Sequence, residues 1–459
     1  MKLLLISVNR ERSPYPVYPI GLAFLVPRLA AAGHDLRCLD LCFCEEPSVA
    51  ILKELEGFSP EAVIISIRNI DNVTFPGSRS YLGGVREVID TCRGRAVTIV
   101  GGSGFSIMPR ELMAELGADF GIAGEGEESL PVLLQRLAQG RSTEGIPGLL
   151  TLGNDDFTPP VPVSCIGTPD RNLFDVAAYH RLGGMANIQT KRGCPFSCSY
   201  CTYPLLEGRT VRTRPVSDII GEIGDLVDRF GVNYIYFVDD IFNFPTAFAE
   251  ELCRAISEAR LAINWSAFIN PDFLPERVLD AMIDAGCDAL EFGTDSGAPA
   301  VLSSLGKSFN VETIRAASML CRGRGVDFAH YILFGAPGEN EETVLQTFAL
   351  MDELEPTAVI GMTGIRIFPG TEIYSRALAD GVIAPDTLML DPHFYISPPL
   401  RDSLCDLVTS EALKRTNWVL PGLEINISDA MLEMIRNFPV RGPLWKLMKR
   451  VSRSRINPV

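Results

Sequence analysis

Short apolar runs alternate with amphipathic helical stretches along most of this chain, and they do so in two blocks. In the first block, residues 1–138, strand-like runs fall at 2–7, 36–41, 62–67, 96–100 and 120–123. Helical stretches at 21–32, 49–55, 83–92, 110–116 and 128–137 separate or follow them. Strands that alternate with helices are joined by crossovers, so their sheet is parallel and covered on both faces. The block therefore predicts a Rossmann-like α/β domain with its ligand site outside the carboxyl ends of the strands. Two glycine-rich turns, Gly101-Gly102-Ser103-Gly104 and Gly124-Glu125-Gly126, fall at those ends. Tight loop geometry explains such a turn equally well when it stands alone.

The alternation resumes at residue 186 and repeats six times, with strands expected at 186–190, 233–238, 263–269, 289–293, 327–334 and 359–368. Six such units predict a (β/α)6 partial barrel over residues 186–385, with its chemistry at the C-terminal ends of the strands. Residues 139–185 are rich in Pro, Gly, Thr and Asp and read as a linker wrapping between the domains. Residues 386–459 show no repeat and read as a helical cap with a basic tail. Arg436, Arg441, Lys446, Lys449, Arg450, Arg453 and Arg455 crowd that tail, among Phe438, Leu444, Trp445, Leu447, Met448 and Val451. The pattern suits either a membrane-surface helix or a solvated C-terminal helix with a frayed end.

Charge and cysteine usage narrow the function classes. A net charge of −16 argues against a general nucleic-acid binder, which needs a basic footprint. No apolar run is long enough to span a bilayer, and the opening MKLLLIS reads as a first strand, not a signal peptide. The twelve cysteines are scattered, apart from Cys38, Cys42 and Cys44 and one cluster in the second block. That scatter suits a reducing cytoplasm better than a disulfide framework.

The cluster is Cys194-Pro-Phe-Ser-Cys198-Ser-Tyr200-Cys201, directly behind the first strand of the second block. A [4Fe–4S] cluster normally takes four cysteines, so three leave one iron open to a substrate or cofactor. The alternatives are buried structural thiols or a zinc knuckle. Zinc wants a fourth Cys or His, and the nearest histidine, His180, precedes the strand that leads into the loop.

The segment RGCPFSCSYCTYP resembles the cluster loop of radical S-adenosylmethionine (SAM) enzymes. Together with VGGSGFSIMPRELMAELGADFGIAGEGEES, it makes the chain similar to the B12-binding-domain members of that family, the cobalamin-dependent radical SAM methyltransferases. The resemblance implies three cofactors: a [4Fe–4S] cluster on Cys194, Cys198 and Cys201, SAM, and cobalamin in the first domain. For SAM it implies contacts from Tyr200, Asp239, Asp295, Ser296, Gly335 and Arg366, carried by the segments DD, FGTDSG, FGAPGE and RIFPGT. Tyr200 could instead simply pack the loop, and the Asp239-Asp240 pair could cap a helix. For cobalamin it implies Ser66, Arg68, Asn69, Gly101, Gly102, Ser103, Gly124, Glu125 and Gly126, with the dimethylbenzimidazole tail in the sheet.

One departure matters. Cobalamin domains that ligate cobalt carry a D-x-H-x-x-G loop after the first strand, where this chain has SVNRERSP. The lower face of cobalt should then meet no histidine, and Asn9, Arg10, Tyr15, Tyr18, Arg68 and Asn69 are the candidates to lie beneath it. The activity implied is methylation of an unactivated carbon in a small-molecule or lipid-type substrate. The resemblance assigns this to a 5′-deoxyadenosyl radical and methylcobalamin, with an electron donor such as flavodoxin or ferredoxin. A rearrangement, cyclisation or oxidation without methyl transfer is the alternative, and a non-catalytic cobalamin or redox sensor a third.

Overall fold

The computed structural model describes residues 1–153, 157–426 and 441–449. Five strands build the first sheet in parallel: β1 (Lys2–Ser7), β2 (Asp35–Asp40), β3 (Ala62–Ser66), β4 (Val97–Gly101) and β5 (Phe120–Ile122). Their order is β2-β1-β3-β4-β5, and a two-residue strand, β6 (Leu149–Leu150), closes the edge antiparallel to β5. The central strands read as unbroken apolar runs because helices cover both faces. Leu3, Leu4, Leu5 and Ile6 are all fully buried.

The six strands expected in the second block are present: β7 (Ala186–Ile188), β8 (Tyr234–Phe237), β9 (Asn264–Ile269), β10 (Cys287–Asp295), β11 (Asp327–Phe334) and β12 (Ala358–Thr363). They pair in parallel in sequence order, and a seventh short strand, β13 (Trp418–Val419), adds to β12. Two expectations change here. The stretch 139–185 contributes β6 and the helix Val176–Gly183, so it is partly built into the first domain. The expected last strand breaks at Gly364; Ile365–Arg366 leaves the sheet and pairs antiparallel with Phe394–Tyr395.

Part of the tail packs into the barrel. Trp445 and Met448, two of its apolar residues, are buried against Ala289, Ala329, Ala358 and Ile360 on barrel strands. Residues 427–440 and 450–459, which hold Arg436, Phe438, Arg450, Val451, Arg453 and Arg455, lie outside the described residues. Among the described residues no helix is long and apolar enough to cross a membrane.

The two α/β units share one core, in which Leu3, Leu5 and Ile64 of the first pack in the same cluster as Ile188, Ile235 and Trp265 of the second. Polar contacts fix their relation. Arg366 pairs with Asp71 at 2.9 Å, and both are buried. The Thr363 hydroxyl donates to the Phe75 carbonyl at 2.5 Å, the Tyr179 hydroxyl to Asp40 at 2.7 Å, and Asn187 to the Tyr18 carbonyl at 3.0 Å.

Candidate functional site

A cavity of about 500 Å³ opens between the two units. The barrel supplies residues at or just beyond the ends of its strands: Tyr236 and Val238 from β8, Phe268, Ile269 and Asn270 from β9, Gly293 from β10. The first unit supplies Tyr15–Tyr18 after β1 and Arg68 after β3. Cys194, Cys198 and Cys201 all line this one cavity.

The cluster loop is anchored at both ends. Before it, Lys191–Arg192 pairs antiparallel with Arg212–Thr213. The Cys194 amide donates to the Gly208 carbonyl at 3.1 Å, and the Ser199 amide to the Leu305 carbonyl at 2.9 Å. Gly193 has φ +93, and a Cβ there would lie 2.2 Å from the Thr210 carbonyl oxygen, so only glycine fits ahead of the first cysteine. Burial pushes the Cys194 thiol up to about 11 and the Cys201 thiol up to about 12. Burial also raises Cys198, opposed by the Lys307 ammonium. Thiols so placed become thiolates only beside a strongly cationic centre, which a coordinated iron provides. Three cysteines and no histidine line the cavity, and that donor set fits a multi-iron cluster better than a zinc knuckle, which wants a fourth Cys or His.

The residues expected around SAM divide. The Tyr200 hydroxyl donates to Asp295 Oδ2 at 2.7 Å, and Lys307 Nζ reaches the same oxygen at 2.8 Å. Tyr200 and Lys307 line the cavity, and Asp295 stands behind them. Asp239 borders the cavity but its carboxylate is engaged elsewhere. It accepts from the Thr190 amide at 2.7 Å, the Thr190 hydroxyl at 2.5 Å and Lys191 Nζ at 2.8 Å. It holds the strand that feeds the cluster loop. Three residues are not brought to the cavity. The Ser296 hydroxyl faces Thr347 at 3.2 Å and accepts from the Ala298 amide. The Gly335 amide donates to Glu339, and Arg366 is the interdomain ion pair described above.

Asp240 is placed differently. Its Oδ2 is buried without a hydrogen-bond partner, and the residue lines the cavity beside the cluster loop. Burial, with Glu207 and Asp239 nearby, pushes its carboxyl up to about 8. Both aspartates lie in the bend just past β8, so no strand alternation told them apart in the sequence.

The cobalamin residues divide as well. Arg68 lines the shared cavity and also a second cavity of about 310 Å³, which Asn69 joins with Asn9, Arg10 and Tyr81. This second cavity lies at the ends of β1 and β3, next to the helices Pro47–Phe58 and Leu82–Cys92. Asn9 Nδ2 is buried there without a partner, as a wall awaiting a polar ligand would leave it. The glycine turns are engaged in packing instead. A Cβ on Gly102 would lie 2.6 Å from the Ile67 carbonyl oxygen, and the Ser103 hydroxyl donates to the Arg68 carbonyl at 2.9 Å. Gly124 packs on Pro160 and Gly126 on Leu25. Glu125 pairs with Arg212 at 2.7 Å, tying the first unit to the strand beside the cluster loop. Ser66 and Gly101 end paired strands and line neither cavity. Of the four histidines, His34, His180, His330 and His393, none lines either cavity.

The B12 binding domain family matches residues 6–134, and the Radical SAM superfamily matches residues 188–351. An uncharacterized methyltransferase of Pyrococcus horikoshii is 27% identical over 396 residues, covering 83% of this chain and 84% of that protein. The tryptophan 2-C-methyltransferase of Streptomyces laurentii is 26% identical over 433 residues, 79% of this chain and 72% of that one. Among solved structures, the radical SAM methyltransferase TsrM from Kitasatospora setae, with tryptophan and a SAM analogue bound, superposes with a TM-score of 0.88 at 24% identity. That superposition covers 99% of this chain and 100% of TsrM and establishes the shared fold.

Proposed function

Because the chain belongs to the radical SAM enzymes that carry a B12-binding domain, we propose that it is a cobalamin-dependent methyltransferase acting on a carbon of a small molecule. The observation that carries this reading is the shared cavity, whose wall combines Cys194, Cys198 and Cys201 with Tyr15, Tyr18 and Arg68 of the first unit. Methyl transfer to carbon needs both cofactors to face one substrate, and this cavity is where they can.

When bound, the cluster, SAM and cobalamin supply the radical-forming and methyl-carrying chemistry. The chain's own part is to hold and orient them. Cys194, Cys198 and Cys201 ligate the cluster and leave one iron open. Asp240, whose burial-raised carboxyl ionises when a cation approaches, receives the ammonium group of SAM on its unpartnered oxygen. Lys307 and Asp295 fix the Tyr200 ring against the site. Arg68, Tyr15 and Tyr18 would hold the corrin, with Asn9 and Asn69 as polar partners. Met185, Phe268 and Phe309 add apolar surface to the wall, which suits a substrate with an apolar body. A protein donor such as flavodoxin or ferredoxin supplies the electron.

Two measurements test this reading. Feeding the source organism methionine with a labelled methyl group should yield a labelled small molecule that a strain deleted for this chain lacks. S-adenosylhomocysteine should form in the purified reaction; a product made without it would point to rearrangement or oxidation instead. Separately, Asp240→Asn should weaken SAM binding to the reconstituted protein about tenfold, the loss of one charge-assisted hydrogen bond. Calorimetric titration would refute that assignment if affinity were unchanged.

A further inference from the structure

The described end of the chain turns back into the barrel. Lys446 pairs with Asp288 at 2.7 Å and Lys449 with Asp327 at 2.7 Å, at the starts of β10 and β11. Residues 441–449 thus close the end of the barrel opposite the cavity. Between these ion pairs, the Trp445 indole N–H donates to Glu291 Oε1 at 2.8 Å. Glu291 lies in the middle of β10 and is fully buried. Its Oε2 accepts from the Tyr236 hydroxyl at 2.8 Å. Tyr236 in turn lines the shared cavity. A continuous chain of hydrogen bonds therefore runs from the tail, along the barrel interior, to the cavity floor, and it bypasses the cluster loop.

Packing alone does not call for this arrangement. A buried carboxylate is costly, and an apolar residue of similar volume would fill the position as well or better. The donors dictate its polarity. An indole N–H can only donate, so Oε1 must accept. A tyrosine hydroxyl that gives its proton to Glu291 keeps its lone pairs for the other side. The floor then offers an acceptor on the same wall as the apolar side chains of Met185, Phe268 and Phe309.

We propose that Trp445, acting through Glu291, is a positioning residue for Tyr236, and that the Tyr236 oxygen receives an N–H or O–H group of the substrate. The substrate contact rests on the methyltransferase reading; the coupling of the tail to the cavity floor does not. A hydrogen bond of this kind selects against analogues that lack the donor.

The full-length protein labelled with 5-fluorotryptophan carries three fluorine reporters, since it has three tryptophans, Trp265, Trp418 and Trp445. Trp445→Phe assigns the third resonance. In Tyr236→Phe that resonance should shift by more than those of Trp265 or Trp418, with iron content unchanged. An unmoved Trp445 resonance, or loss of iron, overturns the coupling. In the deletion strain fed labelled methionine, Tyr236→Phe and Glu291→Gln should each lower the labelled product about tenfold, and Trp445→Phe about threefold. Glu291→Gln keeps the shape but sets an amide N–H against Tyr236 and reverses its polarity. Wild-type product levels with Tyr236→Phe overturn the substrate contact. If wild type itself makes no labelled product, the methyltransferase reading falls, and the fluorine result still decides the coupling.

Discussion

Replacing any one of Cys194, Cys198 or Cys201 by Ala should leave protein that folds but holds no [4Fe–4S] cluster after anaerobic reconstitution, and that no longer cleaves SAM. The three thiols line one cavity, and a cluster with two protein ligands is not retained. Cys38, Cys42 and Cys44 form the competing set, and they lie on or just after β2 at the far edge of the first sheet. Ala at those three positions should leave iron and labile sulfide unchanged. Cys253, Cys287 and Cys321 are buried in the core and should likewise be replaceable without loss of iron. Iron and sulfide analysis reads all of these, and loss of the cluster from the Cys38 set would overturn the assignment.

The second large effect is expected at Asp239. Its side chain is wholly buried, and that of its partner Lys191 is 5% exposed. Lys191 also donates to the Phe242 carbonyl at 2.9 Å. Asp239→Ala leaves the ammonium group without its counterion and the Thr190 and Lys191 amides without their acceptor. Removing one member of a buried pair costs about 3–5 kcal/mol. The cluster loop begins three residues beyond Lys191, so the loop should loosen with it. We expect a marked fall in thermal unfolding temperature and poor cluster retention together. Asp239→Ala with wild-type stability would mean that the pair is not an anchor. Weakened SAM binding with full stability would return Asp239 to the cofactor site.

The contrast between Asp239 and Asp240 shows what could be read from the sequence and what could not. The cysteine motif was legible because all its spacing lies within eight residues. The parallel strands were legible because both their faces are buried, which leaves continuous apolar runs such as Leu3–Ile6. Strands of two residues, Leu149–Leu150 and Trp418–Val419, carry too short a pattern to register. Pairings across long separations were equally hidden. Arg366 meets Asp71 across 295 positions, and Arg212 meets Glu125 across 87. In each case a residue expected at a cofactor holds the two units together instead. Trp445 and Met448 share one side of a short helical turn, the spacing of an interfacial helix. Only the fold shows that this side enters the barrel.

The interdomain contacts also explain how one cavity can serve two cofactors. The buried Arg366–Asp71 pair, the Glu125–Arg212 pair and the common core hold the ends of both sheets toward each other. Large domain opening is not expected from so many buried contacts, so substrate should enter through the mouth of the cavity.

Electron paramagnetic resonance of the fully loaded, reduced protein tests most directly whether both cofactors face one cavity. The reduced cluster and cob(II)alamin are both paramagnetic. Our account predicts that their signals interact, with broadening or splitting that neither shows alone, and that the cob(II)alamin spectrum lacks superhyperfine splitting from an axial histidine nitrogen. A spectrum equal to the sum of two isolated centres would contradict the account.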